Sequence, residues 1–137
     1  MNAPLEPQKL VKQWVEKAES DYQVFQLLLK RDESFPYDAI SYHAQQCAEK
    51  YFKARLVYLS INFPKTHDIG EIVKLFPPGS NIPLSIAEQE KLTDYAWMGR
   101  YPGDQETVTR LQAEEAASLA TKVRTAIRAS FPKDVLK

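Results

Sequence analysis

The sequence predicts an all-α protein on three observations. Its 4 Gly and 9 Pro are unevenly placed, with nine of them between Pro64 and Gly103. The three stretches without either, 8–35, 37–63 and 104–131, each repeat apolar residues at helical spacing. No stretch sustains the period-2 alternation of a half-buried strand. The reading is three long helices around a broken middle that holds two shorter ones, with no sequence repeat and no low-complexity tract.

The first helix is expected over about 7–31. Val11, Trp14, Ala18, Tyr22, Phe25 and Leu29 share one face at the 3/4 spacing, and Lys12, Glu16, Glu19, Gln23 and Lys30 lie opposite. The second is expected over about 36–62, with Pro36 suited to its first turn. Its apolar residues wrap most of the circumference, with Tyr37, Ile40, Ala44, Cys47, Ala48, Tyr51, Phe52 and Leu59 on one broad side. Such a helix is central in a bundle or packed against a second subunit. Arg55, a lone charge on the broad side, should snorkel or find a carboxylate. The clearest polar strip carries His43, Gln46, Glu49, Lys50 and Lys53.

A short third helix follows at about 67–76, with Thr66 as its N-cap and Ile69, Ile72, Val73 and Phe76 as its apolar face. Pro77-Pro78-Gly79 stops it. The fourth starts at Ser85, where Ser-Ile-Ala-Glu reads as a capping box with Glu88. It runs to about Met98 and is expected to bury Ile86, Leu92, Tyr95 and Ala96. Gly99 to Gly103 reads as a loop, since Pro102 disfavours a helical Tyr101. The last helix begins near Thr107 or Thr109 and runs to about Ser130. Its small seam, Ala113, Ala116, Ala120, Val123 and Ile127, permits close packing. Acidic residues early and basic residues late suit its dipole. Phe131 docks the end, and 132–137 reads as a tail beyond a core of about 8–131.

Length and composition exclude several classes. The 137 residues fit one domain spanning 1–137 and are enough to bury a core without a disulfide or metal. With 18 basic and 18 acidic side chains the net charge is zero, which argues against an extended nucleic-acid surface. One Cys forms no internal disulfide and fits a reducing, cytoplasmic setting. Met1 to Lys9 holds no signal-peptide core, and no apolar run approaches the ~20 residues of a membrane span. There is no CxxC pair, P-loop, GxGxxG or GxSxG stretch, so no cofactor and no metal are expected.

Three features remain for chemistry. His43 with His67-Asp68 follows the ligand order of metal-dependent HD phosphohydrolases, with Asp94 or Asp104 as a last ligand. The simpler reading is an acidic helix start and a surface histidine. The row His43, Gln46, Glu49, Lys53 lies along one helix face, with Glu49 and Lys53 in the favoured i,i+4 order. Spacing alone favours a solvated face with one weak ion pair over a binding row. The loop Met98-Gly99-Arg100-Tyr101-Pro102-Gly103 joins a guanidinium, which can grip a phosphate, to an aromatic that can stack on a base. It reads equally as a connector.

The run Tyr42-His43-Ala44-Gln45-Gln46-Cys47-Ala48-Glu49-Lys50-Tyr51-Phe52-Lys53-Ala54 resembles the core motif of the HEPN domain family. Thr66-His67-Asp68-Ile69 resembles its second landmark and Tyr95 through Gly103 its third. Trp14, Ala18 and Asp21, and Glu114-Glu115-Ala116, also fit, so the resemblance covers about 10–128. It implies an up-and-down bundle of four long helices plus a short fifth helix, usually a homodimer. It also implies a nucleotide-binding or RNA-cleaving protein, often paired with a minimal nucleotidyltransferase as a toxin–antitoxin system. Glu49 and Lys53 match the family's Glu-x-x-x-Lys element, but the polar residue expected four positions later is Val57. Ribonuclease members carry Arg, four to six residues, then His. After Arg100 those places hold Gln105, Glu106 and Thr107, and no His follows His67.

The resulting expectation is a non-catalytic cytoplasmic protein, a homodimer that binds a nucleotide or a nucleotidyltransferase partner. Its candidate nucleotide-binding residues are His43, Gln46, Glu49, Lys53, Arg100 and Tyr101. Lys53 and Arg100 would hold phosphate, and Tyr101 would stack. An atypical ribonuclease using Arg100 with His43 or His67 is the alternative, and the metal phosphohydrolase a second one.

Overall fold

In the structure, a computed structural model describing residues 5–31, 37–98, 102 and 107–136, helix α2 (Tyr37–Tyr58) forms the axis. The long helices α1 (Leu5–Leu29) and α5 (Arg110–Ser130) both pack along it and touch each other only slightly. Between α2 and α5 lie the short helices α3 (Ile69–Val73) and α4 (Ile86–Asp94). No strand occurs among the described residues.

Residue pairs set the directions. Glu19 of α1 meets Tyr51 of α2 while Asp21 meets His43, so these two helices run antiparallel. Arg128 meets Tyr51, and Arg55 donates to the Ser130 carbonyl, while Tyr37 and Ile40 lie beside Arg110 and Ala113. Helices α2 and α5 are therefore parallel, and segment 59–109 is the return leg. That leg is not the fourth long helix that the family resemblance implies but the broken middle that the Gly and Pro positions predict. Pro77, Pro78 and Pro83 remove backbone donors, and Gly79 turns the chain at φ 85°. The leg breaks into helices of five and nine residues.

The apolar wrap of α2 is used within one chain. Ile40, Ala44, Cys47, Ala48, Tyr51, Phe52, Ala54 and Leu56 are all buried against α1, α5 and the return leg. Val11, Ala18 and Phe25 of α1 are buried as the periodicity expects, joined by Val15, while Trp14, Tyr22 and Leu29 are half-buried. The whole small seam of α5 is buried. Among the described residues Arg55 finds no carboxylate. Its guanidinium instead lies over the Tyr58 and Phe131 rings, 5.0 and 5.7 Å from their centroids, and bonds Ser130 O at 3.1 Å.

Several local expectations need correction. Ile86 is 73% exposed, because the first turn of α4 extends past the core and its buried face starts at Gln89. The N-cap of α3 is Asp68, which accepts from Glu71 N at 3.2 Å, while Thr66 Oγ1 accepts from Asp68 N one step earlier. The residues beyond Pro132 are not a free tail, since Val135 and Leu136 pack against the core. The capping box at Ser85 forms as the sequence suggests, and Thr109 with Gln112 forms a second one at the start of α5. Pro36 lies outside the described residues.

The end of α2 aims the chain at the site. Ile61 N–H reaches Leu56 O at 2.9 Å and Ser60 N–H reaches Val57 O at 3.0 Å, with Ser60 at φ 60°. This is a Schellman stop with serine in the left-handed position that glycine usually takes. It folds 61–68 back over the helix it leaves. Helix α3 is then tied to α4, where Ile69 N donates to Thr93 Oγ1 at 3.0 Å.

Candidate functional site

The polar row of α2 is not a solvated face. Gln45, Gln46, Glu49 and Lys53 are all buried, the side chains of Glu49 and Lys53 being 3% and 7% exposed. Segment 61–68 covers them, and they hold it. Lys53 Nζ donates to Glu49 Oε2 at 2.9 Å and to Thr66 O at 3.0 Å. Gln45 Nε2 donates to Glu49 Oε1 and to His67 O, both at 3.1 Å. Gln46 Nε2 donates to Gln45 Oε1 at 2.7 Å and to Glu49 Oε1 at 3.4 Å. His67 Nδ1 meets Glu49 Oε1 at 2.9 Å.

Each hydrogen can be followed. The Thr66 and His67 carbonyls only accept, so the groups facing them are donors. That orients the Gln45 amide, and its oxygen then receives Gln46. Glu49 accepts from two amides and an ammonium, which suits the ionised form, so the His67 nitrogen facing it carries a proton. Lys53 is enclosed further by Trp14 and Phe63, each ring centroid 5.6 Å from Nζ. Among the described residues no buried side-chain polar atom lacks a partner. Burying two ions costs several kcal/mol each, which only such complete pairing offsets. The arrangement is a clasp that fixes the position of residues 66 and 67.

His43 faces elsewhere. Its Nδ1 lies 2.8 Å from Asp21 Oδ1 on α1, and Lys50 Nζ holds Asp21 Oδ2 at 2.7 Å. The structure therefore brings Gln46, Glu49 and Lys53 together and directs His43 to a neighbouring contact. Arg100 and Tyr101 lie outside the described residues. Of the groups in the phosphohydrolase reading, His43 turns to Asp21, His67 to Glu49 and Asp68 to the start of α3. No set of three or more His, Cys, Asp or Glu is placed to hold a metal among the described residues. Asp104 lies outside them.

Sequence reasoning placed Gln45 and Trp97 within motifs but did not select them as site residues, and it weighed His67 only for the ribonuclease and phosphohydrolase alternatives. Gln45 lies on the broad apolar side by helical angle, so periodicity hid it. Only the fold of 61–68 puts His67 over Glu49. Trp97, just past α4, meets the His67 ring edge-on, with centroids 6.4 Å apart and planes at 78°.

Two further features frame this corner. A groove of about 790 Å³ lined by Leu10, Trp14, Val57, Ser60, Ile61 and Phe63 backs onto the clasp through the two rings that enclose Lys53. Cys47 offers no nucleophile, since burial first, and the Asp21 and Glu19 charges after it, push its thiol far above the usual range.

Fold and corner together define an all-helical domain whose central helix clasps a polar turn. The chain belongs to the HEPN domain family, whose model matches residues 11–130. No curated protein and no solved structure matches it. Among the described residues no helix is long and apolar enough to cross a membrane.

Proposed function

We propose that this chain is a non-catalytic HEPN protein that binds a nucleotide where α2, segment 61–68 and the end of α4 meet. In this reading it acts as a homodimer beside a minimal nucleotidyltransferase, in a pair of toxin–antitoxin type. The observation that carries the binding part is the clasp. Apolar residues of similar volume at Glu49 and Lys53 would serve stability as well or better. The buried pair instead holds His67 rigidly against Trp97, three residues before Arg100. Both nearest polar partners of Lys53 are within the protein, so Lys53 acts from beneath as a positioning residue. Phosphate then falls to Arg100, whose guanidinium can bind it bidentately. The absence of any His after His67 supports the non-catalytic part, since it removes the family's Arg–His pair.

Titration of AMP and ATP against the full chain and Arg100→Ala tests the binding part. Loss of a charged hydrogen-bond partner is expected to weaken binding about tenfold or more. If both proteins stay silent at millimolar nucleotide, binding is wrong and the partner reading alone survives. Co-purification with the product of an adjacent minimal nucleotidyltransferase reading frame then decides that reading.

One observation favours the ribonuclease alternative. Both histidines are anchored through Nδ1 on carboxylates, the arrangement that orients a general base. RNA cleavage by the parent that disappears in Arg100→Ala would select it.

A further inference from the structure

The clasp uses four buried side chains to set the orientation of one exposed ring. The His67 side chain is 57% exposed, whereas its anchor is buried. Because the Nδ1–H donates to Glu49, the ring in its neutral form presents an unprotonated Nε2 on the side away from that carboxylate. No group among the described residues bonds that nitrogen. A fixed lone pair recognises a donor, N–H or O–H, and repels a phosphate oxygen. Whatever meets neutral His67 is therefore not the anionic end of a ligand.

Trp97 stands beside it, 48% exposed, with its ring nearly perpendicular to the imidazole. The π-face of an exposed indole suits a flat partner ring. An aromatic platform beside an oriented acceptor matches a flat nitrogen heterocycle that carries a donor on its edge.

We infer that His67 and Trp97 form a base-recognition subsite. Trp97 stacks on the heterocycle, and His67 Nε2 accepts an N–H from its edge, as the amino group of adenine supplies. The inference rests on the nucleotide reading above and assigns the base end of the ligand. Glu49, Gln45 and Gln46 are positioning residues for His67 and do not touch the ligand.

Adenosine, purine riboside (which lacks the amino group), AMP and ribose 5-phosphate are titrated against the full chain, with heat and tryptophan emission as readouts. Adenosine is expected to bind and quench emission, and to bind at least about tenfold more weakly to Trp97→Leu. The loss in His67→Phe, which keeps a ring and removes both nitrogens, is expected to be about fivefold. Purine riboside should bind the parent more weakly than adenosine by a similar factor, a comparison that needs no variant to fold. Adenosine affinity unchanged in both variants, or equal affinity for adenosine and purine riboside, overturns the subsite. Binding of ribose 5-phosphate and AMP alike with adenosine silent also overturns it, while leaving the phosphate reading intact. Silence of all four ligands overturns both.

Discussion

Glu49 shows how one residue changes meaning with its surroundings. In the sequence it is half of an i,i+4 pair worth a few tenths of a kcal/mol on a wet helix. In the fold it is a buried carboxylate with four donors, two amides, an ammonium and an imidazole. Removing one member of a buried pair strands the other. Glu49→Gln and Lys53→Met are each expected to cost about 3–5 kcal/mol in urea unfolding, and the double variant much less than their sum. Additive losses would show that the two do not act as a pair.

His67 and Gln45 mark the limit of legibility at this scale. Their types and spacing could be read, and the resemblance quoted both, but periodicity gave no reason to bring them together. The Schellman stop at Ser60 does that, and the positive φ of a serine is not written in any spacing rule.

Among the elements, α1, α2 and α5 are tied by one carboxylate. Glu19 receives Arg124 through two bonds, at 2.6 and 2.9 Å, and the Tyr51 hydroxyl, while Arg128 donates to that hydroxyl at 3.1 Å. Burial alone would raise the Glu19 carboxyl. The bonds from Arg124 and Tyr51 and the charges of Arg124 and Arg128 outweigh it and hold the group below its usual 4.5. A carboxyl lowered in the folded state contributes stability that is present above about pH 4.5 and is lost as pH falls through the folded value. Thermal melts of Glu19→Gln should therefore fall less between pH 5 and 3 than those of the parent, from a lower starting point at neutral pH. Parallel acid limbs would exclude this role.

Element existence was legible because breakers and periodicity are local. The long helices α1, α2 and α5 and the Ser85 capping box are where the sequence puts them. The boundaries of α3 and the exposure of Ile86 were not, because the cap competition between Thr66 and Asp68 and the reach of the core are settled by neighbours.

At the scale of the molecule, the surplus apolar surface that suggested a dimer is covered by α1 and α5. The homodimer we propose then depends on the family resemblance rather than on an unpartnered face of α2. Sedimentation velocity is the measurement that decides it, with a dimer expected at micromolar protein. A single species at the 15.7 kDa of one chain would remove the dimer and leave the clasp and the base subsite as properties of the monomer.

The sequence by itself determined the helical class, the three long helices, the break between positions 64 and 103 and membership in the HEPN family. These depend on contacts within a few residues or on motif order, so they survive being read in one dimension. Only the tertiary structure decided that α2 is enclosed within its own chain and that the polar row is buried under residues 61–68. Burial depends on what a distant segment covers, and it separates a solvated ion pair from a clasp that holds an imidazole in one orientation.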